Sequence, residues 1–131
     1  MYYRHPTEHV EFEIPDAWWV VAGATNFVPT RLAFVPATDP NWPTVLVPIS
    51  DVEVPRRNDG VVGLHEDRTT SLLRAFFEES AVPPVEVHEP PGQNACRFMI
   101  RNGYHRYFLS IAVGYTLLPV SIRPYVDFNT L

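Results

Sequence analysis

Fourteen prolines divide this chain of 131 residues into short segments and limit where helices can form. Proline fixes its own φ angle, donates no backbone N–H and pushes the preceding residue towards extended conformations. Only three windows are long enough and free enough of proline to hold a helix. The chain is therefore expected to hold about three helices with extended segments between them, as in an α/β (α+β) protein.

Each helix window carries its own signals. In the first, Pro15 and Asp16 at the start and Gly23 after the end predict a short helix that carries Trp18 and Trp19. The second window, residues 65–80, has an apolar stripe that is typical of an amphipathic helix: Leu72, Leu73, Phe76 and Phe77. The third, residues 104–113, is closed by Gly114, and its inward stripe is predicted to be Phe108, Ile111, Ala112 and Tyr115. Alternating or apolar runs predict strands at residues 9–14, 31–35, 44–49, 52–54, 85–87, 96–101 and 117–122.

Composition restricts the class of protein. A chain of this length with 46% apolar residues is expected to fold as one domain, residues 1–131. No apolar run reaches the roughly 18 residues that a membrane span needs, and the N-terminus lacks the apolar run of a signal peptide, so we expect a cytoplasmic protein. The single cysteine, Cys96, excludes an internal disulfide and is expected to be a buried thiol.

The charges are distributed unevenly. The net charge is −5 and all ten basic residues are arginine, so the chain as a whole would be repelled by a polyanion. Between Glu89 and Asp127, however, there is no acidic residue. That segment holds a group of basic side chains: Arg97, Arg101, His105, Arg106 and Arg123. Any surface that binds an anion is therefore expected in the last third of the chain.

The turn at residues 101–106 is the most informative segment for function. A strand ends, Asn102 and Gly103 predict a sharp turn, and a helix starts with His105 and Arg106 in its first turn. Backbone N–H groups at a helix start bind anions, glycine lets a ligand approach the backbone, and arginine offers two donors to a phosphate. Two cations at the positive end of a helix dipole are unfavourable on their own. A bound anion would remove that conflict, so the turn predicts a phosphate site.

Five segments, in this order, resemble the ParB N-terminal domain and sulfiredoxin superfamily: Val47-Pro48-Ile49-Ser50-Asp51-Val52, the helix at residues 66–80, Pro83-Pro84-Val85-Glu86-Val87, Asn102-Gly103-Tyr104-His105-Arg106, and Gly114-Tyr115-Thr116-Leu117-Leu118-Pro119-Val120. The resemblance implies a ParB/sulfiredoxin-like core at residues 44–123, with a small mixed sheet and about three helices in the whole chain. Residues 1–43 would then be an N-terminal strand–helix extension whose two tryptophans cover a sheet or form a dimer contact.

In that superfamily the Gly-x-[His/Arg]-Arg turn contacts the phosphates of a bound nucleotide. The resemblance therefore implies phosphate binding by residues 102–106, and Arg57 resembles the arginine that follows the first strand in ParB proteins. Together with Arg97 and Arg101 of the acid-free segment, Arg57 is expected to be a supporting or DNA-facing residue. It also implies a nucleoside triphosphate with Mg²⁺ as candidate cofactor, and a stand-alone ParB-like protein that acts in plasmid or chromosome maintenance.

Three departures from the family narrow that expectation. Tyr104 occupies the place of the catalytic cysteine of sulfiredoxin, so reduction of sulfinic acids is not expected. The chain ends at Leu131, where ParB proteins continue into a helix-turn-helix and a dimerisation domain, so operator recognition of that kind is not expected. The catalytic glutamate of related serine kinases has no convincing counterpart in Glu53-Val54-Pro55-Arg56-Arg57.

Two alternatives to simple ligand binding remain open. One is an enzyme for phosphoryl transfer, nucleotide hydrolysis or DNA cleavage, with His105 as acid–base and Glu66 as a base or metal ligand. The other is a non-catalytic homodimeric adaptor that uses the Trp18–Trp19 face. A metal site is not expected, because the neighbouring His–Glu pairs at residues 65–66 and 88–89 point apart on a helix or a strand.

Overall fold

A computed structural model describes residues 1–55, 62–90 and 97–124. Within these ranges the chain forms three helices and two sheets, which confirms a small α+β fold. The helices are α1 (Asp16–Ala22), α2 (Glu66–Glu78) and α3 (Tyr104–Val113). The strands are β1 (Tyr2–Arg4), β2 (Glu11–Glu13), β3 (Thr44–Pro48), β4 (Val85–His88), β5 (Met99–Asn102) and β6 (Leu117–Ile122). No helix in the described ranges is long and apolar enough to cross a membrane.

The larger sheet has four strands in the order β3-β6-β4-β5. β6 runs antiparallel to β3 and parallel to β4, and β4 runs antiparallel to β5. On the central strand β4, Val85 and Val87 are fully buried, whereas Glu86 and His88 are half-buried. This alternation places one face of the sheet against the core and leaves the other face partly open to solvent.

Helix α3 lies at the centre of the molecule, and the stripe predicted from the sequence was too narrow. Tyr107, Phe108 and Leu109 are all fully buried, although they point in different directions around the helix. The reason is the N-terminal hairpin of β1 and β2, which covers a second side of α3. There Phe12 packs edge-on against Phe108, and the His5 ring hydrogen-bonds the Tyr107 hydroxyl at 2.7 Å.

The N-terminal region forms the predicted strand and helix, and β1 adds a pairing that the sequence analysis did not predict. Helix α1 begins after Pro15 and ends at Gly23, which has a φ of 70°. Trp18 and Trp19 are half-buried and pack against the main core. Their contacts make the extension continuous with the rest of the hydrophobic interior.

The predicted strand at residues 31–35 was wrong. The carbonyl of Leu32 accepts hydrogen bonds from the N–H groups of Thr116 and Leu117, whereas the carbonyl of Val35 accepts one from the N–H of Val82. Because the two ends of the segment contact different parts of the chain, no continuous ladder forms. The predicted extended segment at 52–54 is reduced to one bridge, between Val52 and Phe98. Cys96 and Arg57 lie outside the described residues.

Candidate functional site

The turn at residues 102–106 borders a cavity of about 550 Å³ that lies between the first turns of α2 and α3. All five residues of the predicted phosphate site line it, together with four residues of α2. The lining residues are Asp67, Arg68, Ser71, Leu72, Asn102, Gly103, Tyr104, His105 and Arg106. The fold therefore places the predicted turn on the wall of a cavity that can hold a small molecule.

Gly103 is required by the protein itself. Its φ of 129° is unfavourable for a residue with a side chain, and an added Cβ would lie 2.8 Å from Cγ1 of Val85. The sequence analysis explained this glycine by the approach of a ligand. In the structure the missing side chain instead makes room for strand β4, and it brings the start of α3 close against the sheet.

His105 links the starts of the two helices. Its side chain is buried, and its Nε2 atom accepts a hydrogen bond of 2.9 Å from the backbone N–H of His65, the residue that precedes α2. An Nε2 atom that accepts a bond from an N–H carries no proton of its own. This ring nitrogen is therefore used to satisfy the backbone at the start of α2.

Arg106 is anchored to the loop before β4. Its Nη1 donates to the carbonyl oxygens of Pro83 and Pro84, at 2.8 and 2.7 Å. Burial lowers the pKa of Arg106, and the nearby carboxylate of Glu86 partly offsets that effect. Among the described residues, the hydrogen bonds of this guanidinium are made by Nη1. The sequence analysis assigned Arg106 a binding role and missed this structural one.

Arg68 and Ser71 are cavity residues that the sequence analysis missed. They lie three positions apart on α2 and therefore on the same side of the helix. Arg68 is exposed and makes no hydrogen bond or ion pair with another described residue. The spacing of three residues shows that Arg68 and Ser71 share one side of a helix. Only the tertiary fold shows that this side lies opposite the turn before α3.

The other predicted site residues are separated from this cavity. Arg97 forms an ion pair with Glu89 at 3.5 Å, and its guanidinium lies over the ring of Phe98. It lines neither this cavity nor the second, neighbouring one described below. Arg101 donates to the Pro124 carbonyl at 3.3 Å. Glu66 is exposed and is not part of the cavity wall, which is formed at this point by Asp67.

A second cavity of about 390 Å³ lies next to the first. The two share Asn102, Gly103 and Tyr104, and the second is also bounded by Glu53 and Arg101. A ligand bound at the turn could therefore extend past Gly103. In the described ranges no group of three or more His, Cys, Asp or Glu side chains is arranged to hold a metal ion.

Two comparisons with known proteins were made, one with family models and one with curated proteins. No protein-family model matches the chain, and no curated protein matches it significantly. The relationship to the ParB and sulfiredoxin superfamily stays a prediction that depends on the order of the sequence motifs.

Proposed function

We propose that this chain is a ParB-like protein that binds a phosphate-bearing ligand, a nucleotide and/or the DNA backbone, in the cavity next to Gly103-Tyr104-His105-Arg106, and that it acts in plasmid or chromosome maintenance. The cavity supports the binding role, and the motif order supports the family role. The cofactor that this proposal implies is a nucleoside triphosphate with Mg²⁺.

The observation that carries the proposal is the unbalanced start of α3. No acidic residue lies in its first turn, and no side chain of the described residues caps it. The start of α3, which is the positive end of its helix dipole, borders the same cavity as Arg68 and Arg106. Helix starts and arginine side chains both bind phosphate oxygens, so the cavity wall is suited to an anionic ligand.

Magnitudes indicate that a phosphate group alone would bind weakly. Three charge-assisted hydrogen bonds contribute about 5–9 kcal/mol at roughly 1.5–3 kcal/mol each. Association costs about 4–15 kcal/mol in lost freedom of motion. The rest of the ligand must therefore contribute, and the second cavity beyond Gly103 offers it a surface.

The geometry favours binding over catalysis by the residues that the sequence analysis named. His105 is buried and its Nε2 is already bonded to the His65 N–H, which limits its use as an acid–base group. Glu66 lies outside the cavity wall. A phosphoryl-transfer or nuclease reaction would need other groups at this site.

A second candidate, the homodimeric adaptor, is favoured by exposed apolar residues on α1. Val20 and Val21 are 65% and 56% exposed, whereas Trp18 and Trp19 are half-buried. The adaptor surface would therefore be formed mainly by these valines. Light scattering of the full chain, which gives its oligomeric state, tests this candidate.

Calorimetric titration of the full chain tests the binding role. The probes are pyrophosphate, ATP, GTP and CTP, each with and without Mg²⁺, and a short DNA duplex at two salt concentrations. Arg68→Ala should weaken binding about tenfold or more, because a charge-assisted bond is lost. Arg4→Ala, which removes the same charge from an exposed ion pair on the N-terminal hairpin, should leave affinity unchanged.

Three outcomes would count against the proposal. Absence of binding to every probe would exclude it, and equal affinity of the wild-type protein and Arg68→Ala would exclude the cavity as the site. For DNA, contact with the phosphates predicts that log K falls by about 0.9 per log unit of salt for each phosphate neutralised. A flat salt response would therefore exclude the DNA backbone as ligand.

A further inference from the structure

Glu86 lies on an inner strand of the larger sheet and pairs with a residue of the proposed site. It lies on strand β4, opposite Asn102 of β5 on one side and Ser121 of β6 on the other. The pairing of β4 with β5 shifts register between Glu86 and Val87, so the ladder is irregular at this point. A half-buried acidic residue beside an anion site calls for a physical reason, since its charge opposes ligand binding.

One carboxylate oxygen of Glu86 holds the side chain of Asn102. Oε2 accepts a hydrogen bond of 3.0 Å from Nδ2 of Asn102, which lines both cavities at the turn. A carboxylate accepts hydrogen bonds and cannot donate them, so the amide must present its NH₂ group to Glu86. The contact uses one of the two N–H groups of Nδ2, so the second N–H is the donor that this amide can offer to an anionic ligand.

The other carboxylate oxygen is oriented by Arg123. Oε1 lies 3.8 Å from Nε of Arg123, and the two side chains are 32% and 22% exposed. Arg123 is itself held by the Ser121 hydroxyl, 3.0 Å from Nε, and by the ring of Trp42, 4.2 Å from its guanidinium carbon. Arg123 on β6's side and Asn102 on β5's side thus both contact the Glu86 carboxylate and together restrict its orientation.

Glu86 also acts on the charge of Arg106. Burial lowers the pKa of Arg106, and the Glu86 carboxylate works in the opposite direction. The carboxylate of Glu86 therefore attracts the guanidinium of Arg106, which is charged at every working pH. Its repulsion of a bound anion, in contrast, acts at a partly exposed position and is screened by salt.

We propose that Glu86 is a positioning residue of the anion site, which sets ligand affinity by fixing the Asn102 amide at the edge shared by the two cavities. This inference rests on the proposed function, because it concerns the same ligand. A positioning role and a purely electrostatic role of Glu86 predict opposite changes in ligand affinity when the side chain is removed. Loss of a positioning residue weakens binding, whereas loss of a repelling charge strengthens it.

The test compares Glu86→Ala, Glu86→Gln and the control Glu89→Ala, with pyrophosphate and ATP as probes. Glu86→Ala should weaken binding about tenfold, which corresponds to one lost hydrogen bond to a charged group. Glu86→Gln keeps an oxygen acceptor for Asn102 and should bind within about twofold of the wild type. Glu89→Ala removes the same charge from an ion pair with Arg97, away from both cavities, and should have no effect.

A double-mutant cycle with Asn102→Ala identifies the route of the effect. If Glu86 acts through Asn102, Glu86→Ala should cause no further loss of affinity in the Asn102→Ala background. Equal or tighter binding by Glu86→Ala in the wild-type background would overturn the proposal. An undiminished effect in the Asn102→Ala background would overturn it as well.

A readout without ligand separates this inference from the proposed function. In the NMR spectrum of the free protein, the side-chain amide signal of Asn102, assigned by its loss in Asn102→Asp, should shift in Glu86→Ala and return in Glu86→Gln. If the wild-type protein binds no probe, the proposed function fails and this signal alone decides whether Glu86 positions Asn102. An unchanged signal in Glu86→Ala would overturn the positioning role whether or not ligand binds.

Discussion

The starts of α2 and α3 face the same cavity but balance their helix dipoles in opposite ways. Helix α2 has Glu66 and Asp67 in its first turn, and the N–H of the preceding residue is bonded to His105. Helix α3 has no acidic residue in its first turn, follows a glycine and carries basic side chains. The chain thus places negative charge in the first turn of α2 and none in the first turn of α3, and this difference favours the start of α3 as the site of the proposed anion.

The largest effect is expected from Gly103→Ala, which should disrupt the start of α3 directly and reach α2 only through the bond between His105 and the His65 N–H. The substitution places a Cβ 2.8 Å from Cγ1 of Val85 and forces a side chain into a φ of 129°. Strain and overpacking together should lower the free energy of unfolding by about 2–4 kcal/mol. Urea denaturation measures this change, and loss of ligand binding should accompany it.

Gly23→Ala is the matched control for that substitution. Gly23 also has a positive φ, 70°, but nothing lies within 4 Å of its added Cβ. It should cost only the conformational penalty of about 1 kcal/mol. Equal destabilisation by Gly103→Ala and Gly23→Ala would contradict the close packing of Gly103 on Val85. Because Val85→Ala removes the overlapping methyl group, Gly103→Ala should lower the free energy of unfolding less in the Val85→Ala background than in the wild type.

The sequence predicted the limits of α3 well because glycines mark both of its ends. Gly103 and Gly114 both have positive φ angles, and the predicted helix at residues 104–113 is the observed one. These are local signals, carried by residues next to the helix they bound. The predicted strand at residues 31–35 failed because a strand needs a partner, and sequence periodicity does not identify one.

The roles of individual site residues depended on contacts between distant parts of the chain. Arg106 binds carbonyls 22 and 23 positions before it, and His105 bonds a backbone group 40 positions before it. The sequence identified these residues as important but could not reveal that each is also tied to the protein. Arg68 was missed for the same reason, since its position opposite the turn arises only from the packing of α2 against α3.

A smaller effect is expected from His105→Phe, which breaks the link between the two helix starts. Phenylalanine keeps an aromatic ring in the buried position but offers no acceptor to the His65 N–H. Leaving that donor without its bond should lower the free energy of unfolding by about 1–3 kcal/mol. Urea denaturation gives the change, and faster hydrogen exchange of the His65 amide should report it locally.

A double-mutant cycle isolates this one hydrogen bond from the other contacts of the ring. His65→Pro removes the N–H itself at a position whose φ of −88° is close to the range of proline. In that background His105→Phe should cost about 1 kcal/mol less than in the wild type. If the two substitutions are additive, the bond between His65 and His105 does not stabilise the start of α2.

The smallest effect, and the most direct test of the comparison, is expected from Asp67→Asn. This change removes one negative charge from the cavity wall and makes the start of α2 more like that of α3. Pyrophosphate affinity should rise about two- to fivefold at low salt and less at high salt, because repulsion between Asp67 and the anion is lost and is screened by ions. Helix α2 should lose about 0.3–1 kcal/mol of dipole stabilisation.

Glu66→Gln is the control, since it affects the same dipole from outside the cavity wall and should destabilise α2 similarly with a smaller gain in affinity. Weaker binding by Asp67→Asn would contradict the comparison, because it would mean that this carboxylate helps to hold the ligand.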